Sequence, residues 1–147
     1  MIYCDKENKV IYQKVQGEFT ASELTEANVA IRSIERSFEY NLLLDFSQMR
    51  LLDVHEDMLE EMGHKIRHEI PVRLRAIVVP ERFEEQAQAF AAHAGNAFGH
   101  VHVFNELSSA CNWLLISERE LVSRCGGYRP EDAVYDSRSD HWSYMSN

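Results

Sequence analysis

Two short, unbroken apolar runs constrain the fold of this chain more than any other feature. Residues 41–46 read Asn-Leu-Leu-Leu-Asp-Phe, and residues 73–79 finish with Ala-Ile-Val-Val directly before Pro80. Runs of this length without polar alternation are typical of central parallel strands, which helices cover on both faces. Residues 100–104 alternate histidine with apolar residues, which predicts a strand with one face in contact with water.

Sequence patterns of amphipathic helices separate these runs. Thr20-Ala21-Ser22-Glu23 has the sequence of a capping box and predicts the start of the first helix. Pro71 is expected to end the second helix and Gly95-Asn96 the third, and Asn105 is expected to cap a last helix that continues to Cys125. The apolar stripes of the first three helices are Leu24, Ala27, Ile31, Ile34 and Phe38; Leu59, Met62, Ile66 and Ile70; and Phe83, Ala87, Phe90 and Ala94.

The chain opens with two β-like runs, residues 1–4 and 10–16, joined by a polar stretch that is short enough for a hairpin loop. Gly17 is expected to end the second run. The element order is then β-β-α-β-α-β-α-β-α, and such alternation implies right-handed crossovers between parallel strands. We therefore predict an α/β fold with a mainly parallel sheet of about five strands, an N-terminal hairpin, helices covering the sheet and a C-terminal extension.

The composition limits the classes of function. The chain has 147 residues, 45% of them apolar, and a formal charge of −9. One domain of ordinary size accounts for this length, and an acidic surface repels nucleic acids and anionic lipids. No apolar run approaches the roughly 20 residues of a membrane span, and the first residues do not resemble a signal peptide. Three cysteines without a C-x-x-C pair predict reduced thiols, so we expect a cytoplasmic protein.

Several segments stand in a specific order along the chain. They are Val15-Gln16-Gly17 before the Thr20 cap, Leu42-Leu43-Leu44-Asp45-Phe46-Ser47, Ala76-Ile77-Val78-Val79-Pro80, and Val101-His102-Val103-Phe104 followed by Ala110 and Trp113-Leu114. This order resembles that of the bacterial SpoIIAA-like family, which is related to STAS and CRAL-TRIO domains. The resemblance covers about residues 1–116 and implies a SpoIIAA-like (STAS-like) domain, a β-α superhelix with the hairpin at one side. Residues 117–147 are then a helical extension and an aromatic-containing tail.

The resemblance implies a non-enzymatic binding and regulatory module that acts through protein–protein contacts. In the anti-sigma-factor-antagonist branch of STAS domains, a serine that follows an aspartate at the start of a helix is phosphorylated to switch partners. The matching segment here, Leu52-Asp53-Val54-His55-Glu56, contains no hydroxyl, and Ser47 precedes the turn, so we expect no serine phospho-switch. Lipid transfer, the activity of CRAL-TRIO domains, needs a large apolar cavity, for which two helix layers leave little room.

The turn that follows the central strand is the predicted partner-binding surface. It runs from Asp45 to Glu56 and includes Ser47, Asp53 and His55, at the end of the strands where ligands of open α/β sheets usually bind. The adjoining helix start could hold a small anion, which makes a small-molecule or lipid-binding protein the alternative. The same side chains could form a nucleophile set, but no glycine follows Ser47 to form the sharp turn of hydrolases. We therefore expect no catalysis and no cofactor.

The histidines offer a third hypothesis, a metal-dependent enzyme. Glu60, His64 and His68 lie four residues apart and share one helix face, while His100 and His102 project from one side of a strand. Metals use both arrangements, but structural zinc takes four ligands and neither set supplies them. The alternative is that these side chains only face water.

The C-terminal segment carries the prediction for self-association. A helix that runs from residue 105 to residue 125 would be roughly 30 Å long and would extend past the sheet. The tail that follows contains Tyr128, Tyr135 and Trp142, aromatic residues of a kind that is common at interfaces. Two hypotheses remain open: a homodimer in which each helix and tail dock on the partner, or a tail that folds back on its own domain.

Overall fold

The strands of the main sheet lie side by side in the order of the sequence. The computed structural model describes residues 1–95, 100–126, 135–136 and 141–142. The strands of this sheet are β1 Ile2–Asp5, β2 Val10–Thr20, β3 Asn41–Asp53, β4 Arg75–Val78 and β5 Val101–Phe104. The helices are α1 Ala21–Arg32, α2 Glu56–Glu69, α3 Glu84–Ala94, α4 Leu107–Leu114 and α5 Glu118–Gly126. The short strands β6 Tyr135–Asp136 and β7 His141–Trp142 pair only with each other.

The pairing pattern confirms the predicted α/β class. β1 runs antiparallel to β2 as a hairpin, and β2, β3, β4 and β5 are parallel to their neighbours. The main sheet is therefore five-stranded and mostly parallel, with the hairpin at one edge. The closer likeness to the SpoIIAA-like fold stays a prediction.

Both faces of the central strands are buried, which explains why their sequence does not alternate. On β3, Leu42 and Leu44 pack against the layer formed by α1, α2 and α3, whereas Leu43 packs against α4 and α5. On β4, Ile77 packs against the layer of α1, α2 and α3, and Ala76 packs against α4 and α5. Helices on both sides of the sheet thus require apolar residues at successive positions.

The boundaries of α1, α2 and α3 follow the sequence signals, with one exception. The hydroxyl of Thr20 caps α1 and accepts the backbone N–H of Glu23 at 3.3 Å. α2 ends before Pro71 and α3 ends before Gly95, as predicted. Phe38 is the exception: α1 ends at Arg32, and Phe38 lies in a short 3-10 turn with 55% of its surface exposed.

β3 continues well past its predicted end. The sequence predicts a strand over residues 41–46, but β3 runs to Asp53, so the predicted turn from Asp45 to Glu56 is wrong over most of its length. The reason is a change of pairing: β4 accompanies β3 only as far as Asp45, and beyond that point β2 alone pairs with it. On the edge of β3 that β4 leaves, the guanidinium of Arg82 donates to the carbonyl oxygen of Met49 at 2.9 Å, and a mixture of polar and apolar residues replaces the apolar run that marks the first half of the strand.

Gly17 does not end β2, which continues to Thr20. The backbone of Gly17 has a φ of 71°, in the left-handed region that glycine adopts without strain. β3 places 13 residues opposite the 11 of β2, and bulges beside Gly17 and Gln16 accommodate the difference. Glycine here permits an irregular ladder to continue.

The single helix predicted between Asn105 and Cys125 is wrong, because the chain forms two helices there. Asn105 does not cap α4 as predicted: Glu106 is the cap residue, and the side-chain amide of Asn105 donates to the carbonyl oxygen of Val79 at 3.1 Å. Leu115 has a left-handed φ of 59° and ends α4. The hydroxyl of Ser117 then accepts a backbone N–H from the first turn of α5 at 3.2 Å and acts as a new cap. The break lets α5 turn back against the sheet, where Leu121 is buried.

Arg124 joins α5 to the N-terminal hairpin. Its guanidinium forms ion pairs with Asp5 at 2.8 Å and with Glu7 at 3.2 Å, and the side chain of Asp5 is only 4% exposed. α5 therefore packs on the domain that carries it. The predicted docking of the aromatic tail depends on side chains that lie outside the described part of the chain, and the homodimer stays a prediction. Within the described part of the chain, no helix combines the length and apolar character needed to cross a bilayer.

Gly63 sets the distance between α2 and α3. A Cβ at this position would lie 2.8 Å from the Cβ of His93, 3.2 Å from the carbonyl oxygen of Phe90 and 3.3 Å from the nitrogen of Ala94. Two of these three neighbours are backbone atoms, so the contact cannot be relieved by rotation of a flexible side chain. The two helices touch here because the residue has no side chain.

Replacement of Gly63 by alanine should lower the free energy of unfolding by up to about 2 kcal/mol, measured by urea denaturation. The alanine gains about 1 kcal/mol of helix propensity, but overpacking at a rigid contact costs about 1–3 kcal/mol. The control is Glu61→Ala on the exposed side of the same helix, which should change stability by no more than about 0.5 kcal/mol. A stabilised Gly63→Ala variant would contradict the close contact between α2 and α3.

Candidate functional site

An open groove of about 850 Å³ follows the outer edge of β2 beyond Gln13, the residue that pairs with the first residue of β1. Its walls come from the first three strands and from α1, α4 and α5. The polar residues on these walls include Lys14, Gln16, Glu23, Glu26, Asp45 and Ser47. A groove of this size with mixed polar and apolar walls has room for a ligand or a segment of polypeptide.

Asp45 and Ser47 line this groove, but internal hydrogen bonds occupy the carboxylate of Asp45. One of its oxygens accepts the hydroxyl of Tyr12 at 2.6 Å, and the other accepts the backbone N–H of Ser47 at 3.0 Å. Asp45 is only 1% exposed. The bond to Ser47 satisfies a backbone donor at the bulge, where the ladder is interrupted. Asp45 therefore maintains the shape of the groove floor.

The structure separates the residues that the sequence places in one turn. Asp45 and Ser47 lie in the middle of β3, whereas Asp53 is its last residue and Glu56 begins α2. At the rise of an extended strand, roughly 25 Å separate Asp45 from Asp53. The nucleophile set considered for these side chains is not assembled, and the predicted surface is two regions, the groove and the start of α2.

The start of α2 is acidic. The ring nitrogen Nδ1 of His55 accepts the backbone N–H of Asp57 at 3.2 Å and acts as the helix cap. Asp53, Glu56 and Asp57 are exposed around this helix start. Their charges oppose the favourable field of the helix dipole on an anion, so the geometry does not favour the anion site considered from the sequence.

One group of histidines does come together. Glu60 and His64, four residues apart on α2, meet His93 from the last turn of α3. One ligand atom from each of these three side chains lies within 4.8 Å of the other two. His68, the partner expected from the sequence, is exposed on α2 and is not part of this group.

Sequence spacing could not reveal His93 as a member of this group, because it comes from a different helix. The available signal was Gly63, a glycine in the interior of an amphipathic helix, which indicates close approach by another backbone. That approach is what brings α3, and His93 with it, against the outward face of α2.

His100 and His102 gain no further ligand among the residues that the structure describes. The ring of His102 stacks on Trp113 of α4, with ring centres 4.6 Å apart and planes inclined by 25°. Phe104 lies beside the same tryptophan at 5.7 Å. His102 is therefore part of an aromatic cluster that joins β5 to α4.

An apolar cavity of about 80 Å³ lies between the sheet and helices α1, α2 and α3. Core side chains such as Leu44, Ile66 and Phe90 line it. An engineered protein cavity of about 150 Å³ holds benzene. At about half that volume, this cavity has no room for a fatty acyl chain, so the geometry does not favour the lipid-binding alternative.

The buried cysteines are poor nucleophiles. Burial raises the pKa of the Cys111 thiol to about 11, and burial also raises the pKa of Cys4. Both are free thiols inside the core. They pack as small apolar residues.

Comparisons of the chain with protein-family models, with curated proteins and with solved structures found no match.

The bond between Tyr12 and Asp45 should be measurable as a coupling energy. Tyr12→Phe removes the hydroxyl from a buried carboxylate and should lower the free energy of unfolding by about 2 kcal/mol. A double-mutant cycle with Asp45→Asn, followed by urea denaturation, should give a coupling of about 1–2 kcal/mol.

Ser47→Ala is the matched control for this cycle. Asp45 accepts a hydrogen bond from the backbone N–H of Ser47 and not from its hydroxyl, so this variant should change the free energy of unfolding by no more than about 0.5 kcal/mol. Additive effects of Tyr12→Phe and Asp45→Asn would show that the two side chains do not support each other.

Proposed function

We propose that this protein is a non-enzymatic binding module of the SpoIIAA-like family, which takes an extended segment of a protein partner along the open edge of β2. One observation carries the proposal. β1 pairs only with Val10–Gln13, and main-chain bonds between Met1 and Lys14 close that pair, whereas β2 continues to Thr20. In the described part of the chain, no strand pairs with residues 15–20 on the side away from β3.

An extended peptide fits this edge because it completes the sheet. Backbone N–H and C=O groups on an uncovered edge form a template on which another chain can add as a strand. The groove runs beside this edge, and its walls can contact the side chains on both faces of the added strand. On one side they would meet Phe19 and Ala27, and on the other Leu107 and Val122.

Acidic residues on the α1 rim of the groove favour a basic segment there, while Lys14 and the N-terminal ammonium of Met1 also line the groove. Glu23 and Glu26 project from α1 on the rim, and both are exposed. The chain as a whole carries a formal charge of −9. A partner segment with lysine or arginine next to apolar residues therefore matches the rim and the floor together.

Other features of the proposal rest on sequence as well as geometry. The hairpin followed by parallel crossovers supports the family. The free, buried thiols of Cys4 and Cys111 support a reducing, cytoplasmic location. The proposal contains no serine phospho-switch, because the segment from Leu52 to Glu56 has no hydroxyl and Ser47 lies inside β3.

Selection from a display library of random peptides tests the proposal. Immobilised protein should enrich peptides with basic and β-branched or aromatic residues. Hydrogen exchange measured by mass spectrometry should then show slower exchange of the amides of residues 15–20 when a selected peptide binds, because the added strand bonds to that edge. Exchange in α3 and β5 should not change.

A pair of charge-reversal variants distinguishes peptide binding in the groove from a general attraction of basic peptides to the acidic surface. Glu23→Lys with Glu26→Lys should weaken peptide binding by about tenfold or more, since it reverses the charge on the rim. Glu61→Lys with Glu85→Lys makes the same change of net charge on exposed positions that do not line the groove, and it also places one lysine in the first turn of a helix. Equal losses in both variants, or protection outside residues 15–20, would refute the proposed surface.

A further inference from the structure

Glu60, His64 and His93 place three ligand groups at one point on the outer surface of the α2–α3 pair. Nδ1 of His93 lies 3.2 Å from Nε2 of His64, and Nε2 of His93 lies 3.8 Å from a carboxylate oxygen of Glu60. The two imidazole rings are 4.7 Å apart, centre to centre. The side chains of His93 and Glu60 are 32% and 53% exposed, so an ion from solution can reach them.

We propose that these three residues bind a divalent transition-metal ion of the zinc type and thereby link α2 to α3. Two imidazole nitrogens and one carboxylate oxygen form a donor set that suits zinc, nickel or copper better than calcium or magnesium. Water or a group from another molecule would complete the coordination sphere. This site uses elements that do not line the groove, so it does not depend on the peptide-binding proposal.

The distances are compatible with this role. Bonds of about 2.1 Å to a tetrahedral metal place ligand atoms about 3.4 Å apart. The separation between Nε2 of His64 and Nδ1 of His93 is already near that value. The 3.8 Å contact of Glu60 is with the other ring nitrogen of His93, so the exposed Glu60 side chain has to rotate to share a metal with Nδ1. One ligand atom from each residue lies within 4.8 Å of the other two, so we expect side-chain rotation alone to bring the three together.

Two different features of the sequence create the site. Glu60 and His64 share one face of α2 because four residues separate them. His93 joins them only because Gly63 lets α3 approach closely. The net negative charge of the chain also favours a cation over an anion at its surface.

The alternative to a metal is a hydrogen bond between the two histidines, assisted by Glu60. Such a bond also explains the separation of 3.2 Å between the two rings. Zinc titration separates the two hypotheses, because a pair that only shares a proton gives no saturable, stoichiometric binding that depends on all three residues.

The experiment uses the full chain after treatment with EDTA and dialysis. Zinc chloride is titrated in competition with a chromophoric chelator, and thermal unfolding is followed with and without zinc. We expect one zinc ion per chain and a higher Tm in its presence, because binding to the folded state alone stabilises it. His64→Ala and His93→Ala should each weaken binding by about tenfold or more and abolish the rise in Tm.

His68→Ala is the matched control, since it removes an exposed histidine from the same helix, four residues after His64. It should leave the zinc affinity and the rise in Tm unchanged. Glu60→Gln keeps the shape of the side chain, removes its charge and should weaken binding. All variants should match the parent protein in Tm without zinc, which shows that they fold.

Three results would overturn the proposal. The first is zinc binding that His64→Ala and His93→Ala leave intact. The second is an equal loss in His68→Ala, which would indicate adventitious binding by surface histidines. The third is the absence of saturable binding at micromolar zinc, which would leave the histidine pair as a hydrogen bond only.

Discussion

The parallel pairing of β2 with β3 is the constraint on which the rest of the structure depends. In its first half, β3 is enclosed by β2, β4 and helices on both faces, and this requires Leu42, Leu43 and Leu44 in succession. In the second half of β3, β2 is the one strand that pairs with it among the residues that the structure describes. The same two strands thus form the centre of the core at one end and the groove with its open edge at the other.

Bulges in the pairing of β2 with β3 make possible the change from buried core to open groove along these strands. They let β3 supply more residues than β2 over the same length, and Gly17 and Asp45 stabilise the irregular ladder in different ways. Gly17 adopts a left-handed backbone conformation. The carboxylate of Asp45 accepts hydrogen bonds from the backbone N–H of Ser47 and from the hydroxyl of Tyr12. Asp45, which the sequence suggests as part of a reactive set, therefore forms a hydrogen bond to the backbone at a bulge, as short polar residues often do where the regular pairing is interrupted.

Periodicity predicted the type and order of the elements from β1 to α4, because burial dictates it directly, but it did not predict the strands β6 and β7. It could not predict the second half of β3, since bulges and an open edge remove both the apolar run and regular alternation. It also missed the break at Leu115, a residue that rarely takes a left-handed conformation. The contact of His93 with Glu60 and His64 depends on helix packing, and nothing in the spacing of one helix reports the residues of another.

The order in which the two faces of the sheet are covered has a consequence for synthesis on the ribosome. The layer of α1, α2 and α3 precedes β5, so one face can be covered while the chain is still emerging. The other face depends on α4 and α5, the latter held by the contact of Arg124 with Asp5 across almost the whole chain. Until α4 and α5 have left the ribosome, Leu43, Ala76 and their neighbours lack this cover, and we expect the nascent chain to present an apolar sheet surface to chaperones.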